Sequence, residues 1–469
     1  MAHFKIALPI ETNQTRNKDV SDQKLLNMYA EQMPENSKES VSLYNTPGCK
    51  FYKQINENEK VHAVYYMAPF LYVLCGNSVY RMSESGSIAN LGNIGTINGV
   101  VRFADNGSQI LAVSSDGSGY IITDTGVELV QSENFPVASD VTFNSGYFIV
   151  TQKDSGRFYW SGLLDGHSWT ALGYATQESN PDDVVGIEEN RGDLWIFGNK
   201  TIEIWTPSGN ADLPFQRIGS GILNVGCKAK GSIAKDKNGI YWLGSDLQVH
   251  FAQGYNENRI STHDIERELS EDYNINDVIN SYAFTYSAGG HDFYVLTIPN
   301  SKTWVFDMTT KVWHERKTNG AKTWLPNSLA IVFNKIIVGT EKDGNLYELR
   351  NDYYQDDMVS GHIEREVIFP PVFLEDNRLV MDKVYMDLSV APSDNLSSNP
   401  QIMLSWSDDG GNIWSSEHWR SFGKTGRYKT RVIWRALGQT RQRIYKLKVT
   451  DRVKVQISGL YCEGEQRYA

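Results

Sequence analysis

The chain has 469 residues, of which 40% are hydrophobic and 22% charged, a globular composition long enough for about two to four domains. A net charge of −11 argues against tight bulk binding of nucleic acid. With 12 Trp, 25 Tyr and 39 Gly and few long helical patterns, the composition favours β structure. The four cysteines, Cys49, Cys75, Cys227 and Cys462, make no C-x-x-C pair and suit a reducing folding compartment. The opening "MAHFKIALPIETNQ" lacks the apolar core of a signal peptide. No apolar run reaches the length of a membrane span, so no membrane insertion is expected.

From about Val61 to Tyr354 the chain repeats one theme seven times: an apolar strand, a Gly, Asn or Asp turn, and a second strand. "APFLYVLCGNSVYRM", "NRGDLWIFGNKTIEIW" and "FNKIIVGTEKDGNLYEL" are three of these units. They start roughly 38 to 50 residues apart, the size of a four-stranded propeller blade. The prediction is an all-β chain with a β-propeller of about seven blades, or six, since strands from both ends can complete a blade. A large β-sandwich is the competing architecture. One helix is expected in "STHDIERELSEDYNINDVINSY", capped by Ser261 or Thr262, with Ile265, Leu269 and Tyr273 as its apolar stripe.

After Tyr354 the texture changes. Pro370 and Pro371 interrupt strand pairing, and "YKLKVT" alternates Tyr445, Leu447 and Val449 with Lys446 and Lys448. This predicts a separate antiparallel β-sandwich over 360–469. Its charge differs too: residues 361–469 carry 16 Lys and Arg against 13 Asp and Glu, whereas the rest carries 29 against 43. Between Arg420 and Lys454 lie 12 basic residues and one acid, Asp451. Arg427, Lys429 and Arg431 alternate in "RYKTRVIW", and Arg435, Arg441 and Arg443 follow. These six are candidate docking residues for an acidic partner or phosphates, with a solvated sheet face as the equally weighted reading.

"SWSDDGGNIW" places Ser407, Asp409, Gly411 and Trp414 at the spacing of the Asp-box turn found in sialidases. Asp409 can accept backbone N–H bonds, Gly411 supplies a left-handed conformation, and Trp414 can tuck beneath the turn. That is a structural hairpin, present once and outside the blades. The acidic pairs Asp182–Asp183, Glu271–Asp272, Asp356–Asp357 and Asp408–Asp409 read as solvated turns rather than acid/base dyads. No phosphate-loop, nucleophile-elbow or zinc-protease motif occurs, and no cofactor, metal or catalytic residue is assigned.

Four separated stretches carry a family resemblance: "LLNMYAEQMPENSKES…LYNTPGCKFY", "ESNPDDVVGIEENRGDLWIFGNKTIEIWTPSG", "DIERELSEDYNINDVINS" and "RVIWRALGQTRQRIYKLKVTDRVKVQISGLYCE". In order and spacing the chain resembles the tail hub, or nozzle, proteins of short-tailed bacteriophages, also called packaged-DNA stabilisation proteins. The resemblance implies a structural virion protein, not an enzyme, assembled in the host cytoplasm and resident in the virion tail. It implies a homo-oligomer of six copies below the portal and its head–tail adaptor ring. The ring would extend the channel for double-stranded DNA without sequence-specific binding, help retain packaged DNA, and carry docking sites for a tail needle or plug and for tailspikes or fibres. It also implies that residues 1–50 pack with the 360–469 platform while 51–359 form the propeller body. The alternative is a glycan-binding or glycan-cleaving, sialidase-like propeller, which predicts convergent Arg, Glu and Tyr on one propeller face.

Overall fold

The computed structural model describes residues 2–16, 21–99, 101–178, 182–359, 361–373, 377–389, 399–421, 423 and 430–467. Six antiparallel four-stranded sheets stand apart as blades: 61–93, 103–129, 138–176, 184–223, 234–259, and 326–350 completed by Gly48–Gln54. A further four-stranded set, 282–316, is the root of an 11-stranded sheet. Both blade counts read from the sequence have their origin here. In the ring order the 282–316 set sits between the blades at 234–259 and 326–350.

The second strand of each blade shows why alternation is weak there. Phe70–Cys75, Asp193–Gly198 and His291–Ile298 are buried on both faces, because each blade is sandwiched between its neighbours. Each junction has its own apolar core. Trp195, Phe197 and Ile202 meet Ile240, Trp242 and Ala252 at one of them. Val61, Leu71 and Val73 meet Ala330, Val332 and Ile337 where the first blade meets the last. That junction closes the ring, and the last blade's outer strand comes from the beginning of the chain: Asn345–Arg350 pairs with Gly48–Gln54. The outer strand thereby ties the beginning of the chain to the last blade and covers the edge of Asn345–Arg350.

The second body is a sandwich. One sheet orders Thr430–Arg435, Arg378–Ser389, Gln456–Arg467, Val41–Asn45 and Met28–Gln32, with Ala2–Ile6 beside Gln456–Arg467. The other orders Asp22–Leu26, Arg365–Ile368, Gln442–Val449, Gln401–Ser407 and His418–Ser421. Leu25, Val367, Leu404 and Leu447 of one sheet pack on Leu43, Val384, Trp434 and Leu460 of the other. The alternation in Gln442–Val449 falls as predicted, with Tyr445, Leu447 and Val449 buried. Opposite that strand, Arg365–Ile368 pairs with Lys446–Val449 and Val372–Phe373 with Gln442–Arg443, leaving Pro370 and Pro371 between the two ladders. Residue 50, the boundary drawn from the sequence, lies inside Gly48–Gln54, so this strand belongs to the blade and the strands before it to the sandwich.

The helix is broken: α-helical at His263–Arg267, a π turn at Glu268–Asp272, and α-helical again at Ile275–Ile279. Ile265 and Leu269 are buried and Tyr273 packs beside them. Neither expected cap acts as one. Thr262 occupies the N-cap without a side-chain bond, and Ser261 Oγ donates to Glu266 Oε1 at 2.7 Å instead.

Candidate docking surface and the joint between the two bodies

Asp22–Leu26 lies between the bodies. It pairs with the outer strand of the 282–316 set through Leu26 and Glu315, and with Arg365–Ile368 on its other side. Asn27 follows at φ +54°, a conformation Asn tolerates better than most residues. Its backbone N–H donates to Glu315 O at 2.8 Å, and its carbonyl accepts from Thr46 N. Its side-chain amide donates to Lys317 O and Glu364 O at 2.9 and 2.8 Å and accepts from Lys317 N at 3.0 Å. One residue therefore ties a blade, the linker to the sandwich and the N-terminal segment together. Asn27 falls in the first of the stretches that carry the family resemblance, but the sequence gives no signal for these partners.

Charge crosses the same joint. Lys24 Nζ lies 3.3 Å from Glu366 and 3.8 Å from Glu315, and Lys302 Nζ lies 3.4 Å from Glu315 and 2.8 Å from Glu268 of the π turn. Arg316 donates to Pro47 O at 2.8 Å and stacks 3.5 Å from the centroid of Trp324. Tyr29 sets its ring against His291, Phe293 and His314. His291 is held above its usual pKa by its hydrogen bond to Asp307, whereas burial drives His314 down to about 3. Burial also lowers Arg365, to about 10, although it donates to Asp451 O and Tyr354 O.

The central family motif is likewise structural. Asp182 accepts from Thr201 N at 3.2 Å, and Glu203 accepts from Trp205 Nε1 at 3.0 Å and Glu178 N at 2.9 Å. Ser179, Asn180 and Pro181 lie outside the described residues. Two of the acidic pairs read as solvated turns are thereby corrected. Asp182 and Asp356 are buried, because each carboxylate bonds backbone N–H groups at a tight chain reversal. Burial raises Asp356 to about 6.

At the propeller axis Arg102 reaches across the ring, donating to Glu188 Oε2 at 2.9 Å and to the carbonyls of Lys230 and Ile233. Asp140 lies 3.8 Å away, and Lys235 pairs with Glu188 at 3.1 Å. The charges neutralise one another, whereas recognition of an acidic sugar requires cations left for the ligand. Lys230, whose carbonyl Arg102 holds, also lines a cavity of about 770 Å³, with Asn98, Ser281, Asn300, Glu341 and Lys342 among others. Among the described residues no cluster of His, Cys, Asp and Glu could hold a metal, and no helix is long and apolar enough to cross a membrane.

The predicted docking residues separate into four groups. Arg427 and Lys429 lie outside the described residues. Arg431 is exposed but spent on Asp387 at 3.0 Å and on the Tyr385 ring, 4.6 Å from its centroid. Arg435 and Arg441 are exposed. Arg443 corrects its expectation as a docking residue. It is buried, its Nε and Nη2 grip Asp408 at 2.6 and 2.8 Å, and its Nη1 donates to Leu437 O. A guanidinium in that position organises the sandwich and is not open to a partner.

The Asp-box forms the expected hairpin. Asp409 Oδ1 accepts from Ser407 Oγ at 2.7 Å, Asn412 N at 3.1 Å and Ile413 N at 2.8 Å, bonds that keep its carboxyl below its usual pKa. Gly411 adopts φ +84°, and Lys446 Nζ sits 4.1 Å from the Trp414 ring centroid. The turn follows strand Gln401–Ser407 of the sandwich, outside the blades, with Gly411 against Asp22 of the joining strand.

Comparison with known proteins agrees with this architecture. A family model described as bacteriophage P22 Gp10, β-propeller, matches residues 6–354, and one described as P22 Gp10, β-sandwich, matches 364–465. The tail hub protein gp10 of Salmonella phage P22 is 25% identical over 432 residues, covering 83% of this chain and 84% of that protein. Among solved structures, the designed Ika8 protein aligns over 65% of this chain and 99% of its own at 11% identity and TM-score 0.42. BamB from Moraxella catarrhalis aligns over 64% and 97% at 11% identity and TM-score 0.41. The family matched by both models is one of structural phage tail proteins, not of enzymes. This chain belongs to the P22 Gp10 family.

Proposed function

We propose that the chain is the tail hub of a short-tailed phage particle. The supporting observation is the match of both family models across nearly the whole chain, together with the printed role of the P22 relative as a tail hub protein. In this reading copies assemble by a head-to-tail contact into a closed ring, six by the resemblance, below the portal and its adaptor. The ring extends the DNA channel, helps retain packaged DNA and carries the needle or plug and the spikes or fibres. The sandwich, built from residues 1–47 with 361–469, serves as the platform, and the propeller is the wall. The acidic balance of residues 1–360 suits a lumen in which DNA slides, because phosphate contacts with a basic wall would add salt-dependent friction. Residence in the virion tail after assembly in the host cytoplasm belongs to the same reading.

The test is made on purified particles of the source phage. Gently opened capsids are fractionated, and the chain is counted against the portal. About six copies retained with the portal vertex are expected. A different count, or release with distal fibres, contradicts the hub.

A further inference from the structure

In each blade the turn between the first two strands and the turn between the last two emerge on the same propeller face. Asn106 shows this directly: from a first turn, its side chain donates to Leu164 O in the last turn of the next blade at 3.0 Å. Two bulky apolar residues on that face have left-handed backbone, Leu164 at φ +56° and Phe333 at φ +52°. Side chains of that size are strained there, whereas Asn or Gly would relieve the turn. Leu164 and its neighbour Leu163 are 57% and 64% exposed. Both lean over one spot, since a Cβ at Gly146 would lie 2.7 Å from Leu163 Cδ1 and 3.8 Å from Leu164 Cδ2. Leu164 N donates to Gly146 O at 2.7 Å, so the pair is held as a knob before any partner arrives.

Phe333 belongs to the seam where the first and last blades meet. Tyr66, 40% exposed, sets its ring edge-on to Phe333 with centroids 6.4 Å apart. Phe333 also lines a cavity of about 390 Å³, with Tyr52, Lys53, Met82, Glu84 and Lys335 among others. Lys335 is engaged by Glu348 at 3.3 Å and by the Tyr52 ring, 4.9 Å from its centroid. Lys53 and Glu84 balance each other in sign. The seam is therefore an aromatic recess without net charge, and such a surface gains most from an aliphatic occupant already held in its bound form.

We propose that Leu163 and Leu164 of one copy seat in the Tyr52, Met82 and Phe333 recess of the next, making the head-to-tail contact of the ring. The proposal rests on the hub reading and names the two surfaces of its contact. Knob and recess differ, so the contact is heterologous and repeats by rotation. The six blades and the 282–316 set divide the circle in seven, and the 138–176 blade is third from the seam. The two features thus lie two and a half sevenths of a turn apart, about 130°. A copy in a ring of six, propeller axes upright, meets its two neighbours in directions about 120° apart. Charge selects the same surfaces. Residues 1–360 carry 29 basic against 43 acidic side chains, so two copies repel over most of the propeller and approach where charge is balanced.

The source phage, deprived of its own copy, is supplied with variants of the chain, and purified tails are treated with a short bis-maleimide. The four native cysteines are buried and stay silent. Ser85 is exposed and lines the recess. The double variant Leu164→Cys with Ser85→Cys should give a ladder of covalent oligomers, and each single variant only monomer. In parallel, Leu164→Asn, which suits the left-handed turn, should melt no lower than the parent yet enter tails about tenfold less. A dimer from Leu164→Cys alone, no ladder from the double variant, or wild-type entry of Leu164→Asn overturns the contact. Absence of the unmodified chain from purified tails overturns the hub reading, and the contact with it.

Discussion

Asn27 and Asp356 are single residues on which the joint and the linker depend. Replacing Asn27 with Ala strips partners from Lys317 N, Lys317 O and Glu364 O, and a buried group left unpaired costs about 1–3 kcal/mol. Asn27→Ala is expected to lose about 3 kcal/mol in denaturant unfolding, with unchanged secondary structure after refolding. Asp356 acts in the opposite sense. Its folded pKa of about 6 lies above the ordinary 3.8, so the native state holds a proton that the unfolded chain releases between those values. Stability from this group is present below pH 3.8, falls as pH rises through that window, and stays lost above it. His314 has the reverse slope, because burial lowers it from 6.5 to about 3. Its contribution is present above pH 6.5 and is lost as pH falls toward 3. Between about pH 4 and 6 the two slopes oppose each other. Asp356→Asn removes one of them. The variant should be more stable than the parent at pH 7 by up to about 3 kcal/mol and should weaken by about 1.4 kcal/mol per pH unit on acidification from 6 to 4. Equal pH slopes for parent and variant in thermal melts would count against this balance.

Among the elements, the short hairpins were the most legible in sequence, because their determinants are local. The Asp-box is an example: Ser407, Asp409 and Gly411 take up the bonds and the φ that their spacing predicts. The helix was half legible. Ile265 and Leu269 set the buried stripe, but Ser261 is drawn off by Glu266 five residues on, and the π turn, whose Glu268 is bound by Lys302 34 residues away, had no signal in the sequence. Arg443 was misread for a related reason. Strand alternation gives a side chain's face, but not whether a carboxylate 35 residues away has taken up its charge. The closing strand Gly48–Gln54 is the element whose failure is easiest to provoke. A Cβ at Gly48 would sit 2.2 Å from Tyr353 O and 2.5 Å from Gln355 O, both backbone atoms. Gly48→Ala should destabilise by about 1–3 kcal/mol through forced displacement of the strand. Hydrogen exchange should show the loss of protection concentrated in 345–350 and 48–54.

For the whole molecule, the repeat was visible because each blade restates one local pattern, and the sandwich because its charge and alternation differ from the body. What joins them was not visible. The sheet that begins in the 282–316 set runs through Asp22–Leu26 into the sandwich, a contact made by residues nearly 300 apart in sequence. The sandwich core likewise needs Ile6, Leu25, Met28 and Leu43 from the beginning of the chain. Residues 361–469 expressed alone are therefore expected to stay loosely packed, with little near-ultraviolet circular dichroism. Addition of a peptide spanning 1–47 should restore the signal. A well-folded isolated C-terminal fragment would show that the N-terminal strands are dispensable.

That interleaving of the two ends has a temporal consequence. At a synthesis rate of about 5–20 residues per second, the strands before Gly48 leave the ribosome some 20–80 seconds before Gln456–Arg467 exists to receive them. Meanwhile each pair of neighbouring blades shares a core of its own, so the blades can form one after another. The sandwich is thus the last part to mature, and a nascent chain cut short anywhere in the propeller emerges without one. A prematurely ended chain therefore lacks a closed sandwich core, so completeness of the polypeptide is registered by the fold itself.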